Sequence, residues 1–440
     1  MNTKRSWVAF AFIIIICIAA LFNGTVPGST GNNTQNFSGY DIAWMLVSTA
    51  LVMIMTPGLA FFYGGMVSKK NVISTMLQSF ISMAVITMLW VVVGFSLAFG
   101  DSIGGIIGNP FSFLFMKGTF HAPGWKIAPT IPLLLFAFYQ LKFAIITPAL
   151  ITGAFAERIR FNAYLLFICL FSILIYAPLA HATWHPDGIL FKLGVLDFAG
   201  GTVVHMSAGI AALAGAIFLG NRTSASHNPA RITYVLLGTG LLWFGWFGFN
   251  AGSAFGANSL AVTALATTTT ASAAAAFTWI IFDTVRGRKP SAMGTCIGAV
   301  VGLVAITPAA GFVSIPHSLI IGAVSSIVSN LMVELRTRKT TLDDTLDVFP
   351  CHGIGGICGF LLTGVFAQQS INSANTTGNG LLFGEFHLFK VHVITTLAVS
   401  VFVFGGTWGI LKITNWLTPL RVTAAEEEQG LDVSQHGEKL

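Results

Sequence analysis

The sequence carries very little charge. Only 9% of its 440 residues are charged, whereas a soluble domain carries about 25%. Hydrophobic residues make up 54% of the chain, and apolar runs of roughly 20 residues, the length of a spanning helix, recur along almost all of it. The chain is therefore predicted to be an integral membrane protein. Its net charge of +6 does not imply nucleic-acid binding, because the basic residues are dispersed in short loops.

Two further features are missing. The apolar runs do not alternate apolar and polar residues over about 10 positions, so they are not predicted to be strands of a membrane barrel. Cysteine is scarce, and the five that occur (17, 169, 296, 351 and 358) lie in apolar runs without a CxxC pair. They are predicted to be small buried hydrophobic residues and neither disulfides nor metal ligands. The sequence predicts no metal site and no cofactor.

The apolar runs predict eleven membrane-spanning helices. They lie near residues 43–66, 72–99, 130–155, 162–182, 199–219, 232–252, 259–282, 292–311, 316–334, 348–367 and 391–417. After Arg5, every arginine falls in one alternating set of connections, and the opposite set holds only a few lysines. By the positive-inside rule, the first of these helices starts outside and the C-terminal tail is cytoplasmic. The sequence thus predicts an all-α polytopic membrane protein, N-out and C-in.

Residues 1–22 allow two interpretations. Lys4 and Arg5 precede an apolar stretch, Trp7 to Phe22, and a polar segment rich in Asn, Gly and Ser follows it. This pattern is typical of a secretory signal peptide, although Ile18-Ala19-Ala20 only half matches a cleavage site. A retained twelfth helix with a cytoplasmic N-terminus fits the charges equally well. We favour cleavage.

Two histidines lie within predicted helices, where an ionisable side chain is expensive and usually belongs to a pathway or a relay. His205 follows Asp197, His352 follows Asp347, and each histidine has a glycine four residues on. Other short matches also pair helices one to five with six to ten, such as Ile-Thr-Pro-Ala in the third and the eighth. Because five is odd, the second half enters the membrane from the opposite side, as in many transporters with inverted repeats. This five-plus-five symmetry, with one last helix added, predicts that His205 and His352 meet.

Several stretches of the chain resemble the ammonium transporter family (Amt/Mep/Rh), and its bacterial branch most. They are PGLAFFYGG at 57–65, AERIR at 156–160, the region 197–222, GWFGFNAGS at 245–253, the region 347–353 and the tail motif at 430–438. The resemblance covers roughly residues 41–438. It implies an eleven-helix fold, a homotrimer with one pore per subunit, and ammonium uptake across the bacterial inner membrane.

The resemblance also assigns residues to one path that leads from an external recruitment site through a gate to an inner exit. They are Trp184, Ser253, Tyr139 and Asp197 at the recruitment end; Phe143 and Phe249 as a paired aromatic gate; His205 and His352 as twin histidines; and Phe62, Tyr63 and Trp246 as inner pore and wall. Tyr139 departs from the family, which commonly has phenylalanine there. Its phenol is expected to accept a hydrogen bond from ammonium.

Elementary chemistry supports these roles. Ammonium resembles potassium in size and charge, but it donates hydrogen bonds and can lose a proton. Trp184 can hold the cation by cation–π attraction worth about 0.5–2 kcal/mol, and Ser253 can accept one N–H. In an apolar pore the cheapest passage is as ammonia, because burial favours the neutral amine and potassium bears its full desolvation cost. The histidine pair can share one hydrogen, guide ammonia and relay the abandoned proton.

The predicted function is therefore ammonium transport without enzymatic activity, and net electrogenic uptake is favoured over an electroneutral ammonia channel. Two other classes stay open: an ammonium sensor with little flux, and a redox protein that binds haem through paired histidines. Only one central histidine pair is present and no signalling domain is appended. These observations argue against both.

Each assigned residue also has a purely structural interpretation. The histidines can tie helices together, the phenylalanines can pack in the core or face lipid, and Trp184 can be an interfacial anchor. Asp197 opens the fifth helix, so capping of free N–H groups is predicted to be its main task and attraction of cations a secondary one.

The tail, residues 421–440, is short and polar with an acidic run, Glu426–Glu428. It is predicted to be a cytoplasmic regulatory segment that follows a transmembrane domain at 23–420. The family implies that a trimeric PII-type regulator docks on this face and that the tail couples the subunits. Near the other face, His185-Pro-Asp187 replaces a glycine-rich stretch common in the bacterial branch, a change that bears on affinity and not on mechanism.

Overall fold

The structure is a computed structural model that describes residues 3–23, 37–120, 122–223 and 228–440. Its helices are α1 (Thr3–Asn23), α2 (Gly39–Met66), α3 (Lys69–Phe99), α4 (Leu133–Phe155), α5 (Phe161–Lys192), α6 (Gly201–Leu219), α7 (Ile232–Ala254), α8 (Ser259–Val285), α9 (Ala292–Ile306), α10 (Ile315–Lys339), α11 (Phe349–Phe366), α12 (His387–Leu417), α13 (Ala424–Gln429) and α14 (Leu431–His436). Within the described ranges, ten of these, α2–α8 and α10–α12, are long and apolar enough to cross a membrane. A short antiparallel pair, β1 (Ser102–Ile103) and β2 (Ile107–Gly108), follows α3.

Every predicted span coincides with a helix. The eighth, α9, has only 15 residues and ends at Ile306, whereas the prediction extended it to residue 311. Pro308 lacks the N–H that would continue the helix, and residues 307–311 form turns. The ten longer helices confirm a multi-pass, all-helical membrane protein. The count of eleven and the direction of crossing remain predictions.

α1 covers the N-terminal apolar stretch and ends beside the predicted boundary at residue 22. The polar segment after it, residues 24–36, lies outside the described residues. A helix suits both a signal peptide and a retained span, so cleavage stays a prediction.

Two antiparallel helices, α6 and α11, lie at the centre of the fold. Each begins with a π-helical turn, Gly201–Met206 in α6 and Phe349–Ile354 in α11. Arg222, just beyond the end of α6, hydrogen-bonds Asp343, just before α11. The end of one helix therefore meets the start of the other, so the two run in opposite directions.

Glycines let these two helices approach closely. A side chain at Gly209 of α6 would collide with the backbone of Gly353 in α11, and one at Gly356 would press on the backbone of Gly201 and Met206. Small residues at a helix crossing allow the backbones to come together. The glycine four residues after each histidine thus brings the two histidine-bearing helices into contact.

The C-terminal tail is folded against the start of α3. Thr423 and Glu426 form a capping box that begins α13. The Asp432 carboxylate in α14 accepts hydrogen bonds from the N–H groups of Ile73 (3.1 Å) and Ser74 (2.8 Å). The tail is therefore joined through polar contacts to the first turns of α3.

Candidate functional site

An open cleft with a volume of about 320 Å³ lies beside the start of α6. Four residues predicted for recruitment or gating line it, namely Phe143, Trp184, Asp197 and Ser253. We call it the Trp184 cleft. The structure thus brings together residues that are separated by more than one hundred positions in the sequence.

Asp197 organises one wall of the Trp184 cleft. Its carboxylate accepts hydrogen bonds from the N–H groups of Gly200 (2.9 Å), Gly201 (2.6 Å) and Thr202 (2.9 Å), and the Thr202 hydroxyl donates to it as well. Its carbonyl accepts the indole N–H of Trp184 at 3.1 Å. Asp197 therefore caps α6 and orients the indole ring. Burial raises the pKa of the Asp197 carboxyl, although the N–H donors favour its ionised form.

Tyr139 lies behind Ser253 and does not line the cleft. It is fully buried, and its hydroxyl lies 3.2 Å from Ser253 Oγ and within reach of the carbonyls of Gly248 (2.9 Å) and Phe249 (3.0 Å). The Ser253 hydroxyl donates to the Phe249 carbonyl at 2.9 Å. This leaves the Ser253 oxygen able to accept an N–H. Direct contact between Tyr139 and ammonium stays a prediction, and the geometry favours an indirect role through Ser253.

The rings of Phe143 and Phe249 pack against each other, tilted by 34°, at the floor of the Trp184 cleft. Their centroids are 4.3 Å apart, and both side chains are buried. On the far side, the Phe249 ring neighbours the His205 ring, with centroids 5.8 Å apart. The predicted gate residues thus separate the cleft from the histidines.

His205 and His352 lie side by side, as predicted. Their Nδ1 atoms are 3.4 Å apart, and their rings are nearly parallel. If one neutral ring donates and the other accepts, the pair shares one hydrogen. Nε2 of His205 is buried without a hydrogen-bond partner in the described part of the chain, and the Trp246 ring stacks on His205 at 5.2 Å. One ring nitrogen is therefore available to a small guest molecule.

Two small cavities continue from the histidines, away from the gate. The first is lined by both histidines, Phe62 and Trp246. The second shares Phe62 and His352 and adds Tyr63. Each has a volume of only about 10 Å³, close to the space that one water molecule needs. The residues predicted for the inner pore and wall thus border two small and mainly apolar cavities.

A buried ion-pair network lies at the opposite end of the molecule, which we call the ion-pair end. Arg222 pairs with Asp343 at 2.9 Å and with Glu157 at 2.8 Å. Arg158 donates to the carbonyl of Asp343 at 2.5 Å. Although burial alone would raise it, the pKa of Asp343 is held low by the hydrogen bonds from Arg222. Sequence reasoning missed this network because its members come from three separate connections.

The cap of α11 is Asp344. Its carboxylate accepts the N–H groups of Val348 at 3.1 Å and Phe349 at 2.7 Å. Asp347, the aspartate that the sequence analysis associated with the second histidine, bonds Arg336 Nε instead, at 2.6 Å. The residue that caps this helix is therefore not the aspartate noted in the sequence beside His352.

The spacing identifies the two caps as counterparts. Asp344 precedes His352 by eight residues, and Asp197 precedes His205 by eight residues. Asp347 precedes its histidine by only five. Comparison of these intervals would have found Asp344 from the sequence alone.

Two polar residues in the Trp184 cleft were also missed. Gln140 and Thr183 line it and are only 4% and 2% exposed. Gln140 lies one helical turn before Phe143, and Thr183 immediately precedes Trp184. Each is therefore a close neighbour in sequence of a residue that was predicted.

Two described histidines away from this path, His392 and His185, have structural partners. His392 accepts the N–H of Leu196 at 3.2 Å and contacts the Phe360 carbonyl at 2.7 Å. His185 accepts the N–H of Asp187 at 3.0 Å. The Asp187 carboxylate also pairs with Lys192 at 3.0 Å, so the departure after Trp184 forms a local turn beside the cleft.

The fold and this site define a multi-pass helical membrane protein with an open aromatic cleft, a buried histidine pair behind two phenylalanine rings, and two small cavities beyond the histidines. A family model described as Ammonium Transporter Family matches residues 43–440. The ammonium transporter of Bacillus subtilis (strain 168) is 46% identical over 400 residues, covering 91% of this chain and 98% of that protein. The ammonium transporter of Aquifex aeolicus (strain VF5) is 46% identical over 398 residues, covering 90% and 92%.

Solved structures agree with this match. Saccharomyces cerevisiae Mep2 superposes with a TM-score of 0.84 at 34% identity, covering 91% of each chain. A protein named Sensor Amt Protein superposes with a TM-score of 0.82 at 28% identity, covering 92% of this chain and 100% of that one. The chain belongs to the ammonium transporter family.

Proposed function

We propose that this protein takes up ammonium at the Trp184 cleft, removes one proton and passes ammonia along the histidine pair. The proton is relayed, so that the net cargo is ammonium and transport is electrogenic. The observation that carries the proposal is the order in which four features follow one another: the cleft, the packed rings of Phe143 and Phe249, the adjacent His205 and His352, and the small inner cavities.

The cleft suits a cation that donates hydrogen bonds. The Trp184 ring offers a cation–π face, and the Ser253 oxygen retains lone pairs for an N–H. The Asp197 carboxylate adds negative charge to the wall. Ammonium can use all three groups.

The passage beyond the gate suits ammonia better than a cation. It is mainly apolar, and its cavities have room for about one small molecule. The unpaired Nε2 of His205 offers a hydrogen bond to ammonia. The histidine pair also connects the two sides of the barrier, so a proton can move from ring to ring.

The test is ammonium-evoked current from purified protein in liposomes on a solid-supported membrane. Wild type is compared with His205→Ala, and His387→Ala, an exposed histidine at the start of α12, serves as the matched control. We expect a wild-type current that is lost or loses its discrimination against potassium in His205→Ala and persists in His387→Ala. A pH-sensitive dye inside the vesicles follows ammonia in parallel.

The result that contradicts net ammonium transport is flux without current. If the dye reports ammonia entry in wild type while no charge moves, the protein is an electroneutral ammonia channel and the proton relay is removed. If wild type shows no ammonia flux and no current, transport itself is contradicted.

The same proposal sets the orientation and the partners. The Trp184 cleft faces outside and the ion-pair end faces the cytoplasm of a bacterial inner membrane. The protein acts as a homotrimer with one pore per subunit, and a PII-type regulator docks near the tail. Residues 1–22 are a signal peptide. Labelling of single introduced cysteines with a membrane-impermeant reagent tests the orientation, and crosslinking tests the trimer.

The contacts that the tail makes with the rest of the subunit are proposed to be needed for transport. Its Asp432 holds the start of α3, and Arg160 pairs with Glu426 at 3.0 Å. Deletion of residues 421–440 is expected to impair transport in protein that still inserts into the membrane. Wild-type uptake by that truncation would rule out the coupling.

A second candidate is an ammonium sensor with little flux. It is favoured by one observation, the similarity to the protein named Sensor Amt Protein. The current measurement separates the two, because a sensor would bind ammonium without sustained charge movement.

A further inference from the structure

Two buried oxygen atoms beside the Trp184 cleft lack hydrogen-bond partners. They are Oγ1 of Thr183 and Oε1 of Gln140, neither of which pairs with any residue that the structure describes. Both residues line the cleft and are more than nine-tenths buried. Buried polar atoms in proteins are nearly always paired, so two such atoms at one cleft need an explanation.

Thr183 differs from three other buried helical threonines and resembles Thr407 and Thr414 in α12, whose hydroxyls also lack a partner among the described residues but do not line the cleft. Thr147, Thr239 and Thr363 each donate to the carbonyl four residues earlier, at 2.7 to 2.8 Å. That local bond is the usual way for a helical threonine to satisfy its hydroxyl. Thr183 also lies in a helix, yet its hydroxyl makes no such bond. It is therefore free to turn toward a guest in the cleft.

Gln140 approaches the same place from α4. It lies one turn before Phe143, whose ring is 5.9 Å from the Trp184 ring. Its amide can present an oxygen by rotation about the last side-chain torsion. The two polar groups thus come from the two helices that carry Phe143 and Trp184.

We propose that Thr183 and Gln140 are further binding residues for an ammonium-type cation and accept N–H groups beside Ser253. This inference rests on the proposed function and adds a basis for selectivity to it. Ammonium has four N–H groups, so three acceptors and one aromatic face can engage all of them. Methylammonium has one N–H fewer and leaves an acceptor unpaired. A site built to hydrogen-bond its substrate disfavours an analogue that lacks a donor.

The experiment compares Thr183→Val and Gln140→Met with wild type in the liposome current assay, using ammonium and methylammonium. Thr183→Ser restores the hydroxyl, and Thr239→Val is the matched control, because that hydroxyl is bonded within its own helix. We expect Thr183→Val and Gln140→Met to raise the KM for ammonium by roughly 3–10-fold, the effect of one lost hydrogen bond. The maximal current changes less, and the preference for ammonium over methylammonium falls. Thr183→Ser regains most of the affinity.

An unchanged KM and an unchanged preference in both variants would overturn the proposal. Thermal stabilisation of the purified protein by ammonium chloride, measured against potassium chloride, reads binding separately from transport. Wild type can carry no current and still be stabilised by ammonium, with a smaller stabilisation in the two variants. In that case Thr183 and Gln140 bind the cation and the transport proposal fails. If the current is normal and the variants match wild type in both assays, only this inference fails.

Discussion

The two capping aspartates share a local geometry and differ in their electrostatic surroundings. Asp197 and Asp344 each accept backbone N–H groups at a π-helical turn, eight residues before a histidine. Asp197 borders the open Trp184 cleft and forms no ion pair within the described residues. Asp344 is fully buried at the ion-pair end, where the charges of Arg336 and Arg158 act on it.

This difference shows how one structural solution can serve two tasks. Burial raises the pKa of both carboxyls, and both helices need the cap to satisfy their first N–H groups. At the cleft the negative charge is not balanced by a basic side chain and can attract a cation. At the ion-pair end, arginine side chains balance the acidic ones. These ion pairs hold the interhelical connections together, and they leave no net negative potential that would attract a cation.

The largest expected effect comes from removal of the cap at the cleft. Asp197→Ala leaves three or more N–H groups at the start of α6 without an acceptor. At about 1–3 kcal/mol for each unsatisfied buried group, the loss of stability is roughly 5 kcal/mol. Thermal unfolding in detergent is expected to shift strongly downward, with little active protein recovered. A variant that unfolds like wild type would show that water or backbone adjustment replaces the cap.

The second largest effect is expected from removal of the central arginine at the ion-pair end. Arg222→Met removes the guanidinium that pairs with Glu157 and Asp343 in a buried site. Removal of one member of a buried ionic group costs about 3–5 kcal/mol, because the remaining acids lose a balancing charge. Arg222→Lys, which keeps the charge but not the two-pronged geometry, is expected to lose less. The measurement is the same unfolding assay, and equal stability of the two variants would contradict the role assigned to charge balance.

A pH dependence is expected at the ion-pair end. Burial raises the pKa of Asp347 to about 6 even though Arg336 lowers it, whereas an unfolded aspartate titrates near 3.9. Folded Asp347 therefore keeps its proton over an interval in which the unfolded chain has lost it. Its contribution to stability declines by on the order of 2–3 kcal/mol as the pH rises from about 4 to 6 and is level beyond.

Asp347→Asn is expected to flatten that part of the stability profile. Unfolding is measured between pH 4 and pH 8, with Asp101→Asn as a control at an exposed turn. Parallel profiles for wild type and Asp347→Asn would mean that this carboxyl does not titrate as described.

Much of this architecture could be predicted from the sequence, because hydrophobic runs reveal spanning helices and the paired histidines stand out against them. Repeat symmetry predicted that His205 and His352 meet, and in the structure their Nδ1 atoms lie 3.4 Å apart. The end of α9 was misplaced because the apolar pattern continues past Pro308 into turns. Apolar composition reports burial, but it does not report whether the backbone is still helical.

The polar details were harder to predict. Whether Asp344 or Asp347 caps α11 depends on backbone geometry, and the network of Arg222 depends on which connections meet in space. Thr183 and Gln140 look ordinary in sequence, since each becomes notable only when the structure shows that its oxygen has no partner among the described residues. Tyr139 was predicted to belong to the recruitment site, but the sequence did not show that its hydroxyl contacts Ser253 behind the cleft.

The smallest expected effect is also the sharpest test of the comparison. Asp197→Asn and Asp344→Asn each keep an oxygen that can accept an N–H but remove one charge. If the Asp197 charge attracts the cation, Asp197→Asn raises the KM for ammonium by roughly 3–10-fold at low salt, and the difference shrinks at high salt as the charge is screened. Asp344→Asn is expected to change the KM less than about twofold, because arginines surround that site. Currents at two ionic strengths measure both. Equal, salt-dependent increases in the two variants would mean that the ion-pair end also contributes to substrate attraction and that the two caps do not divide their tasks.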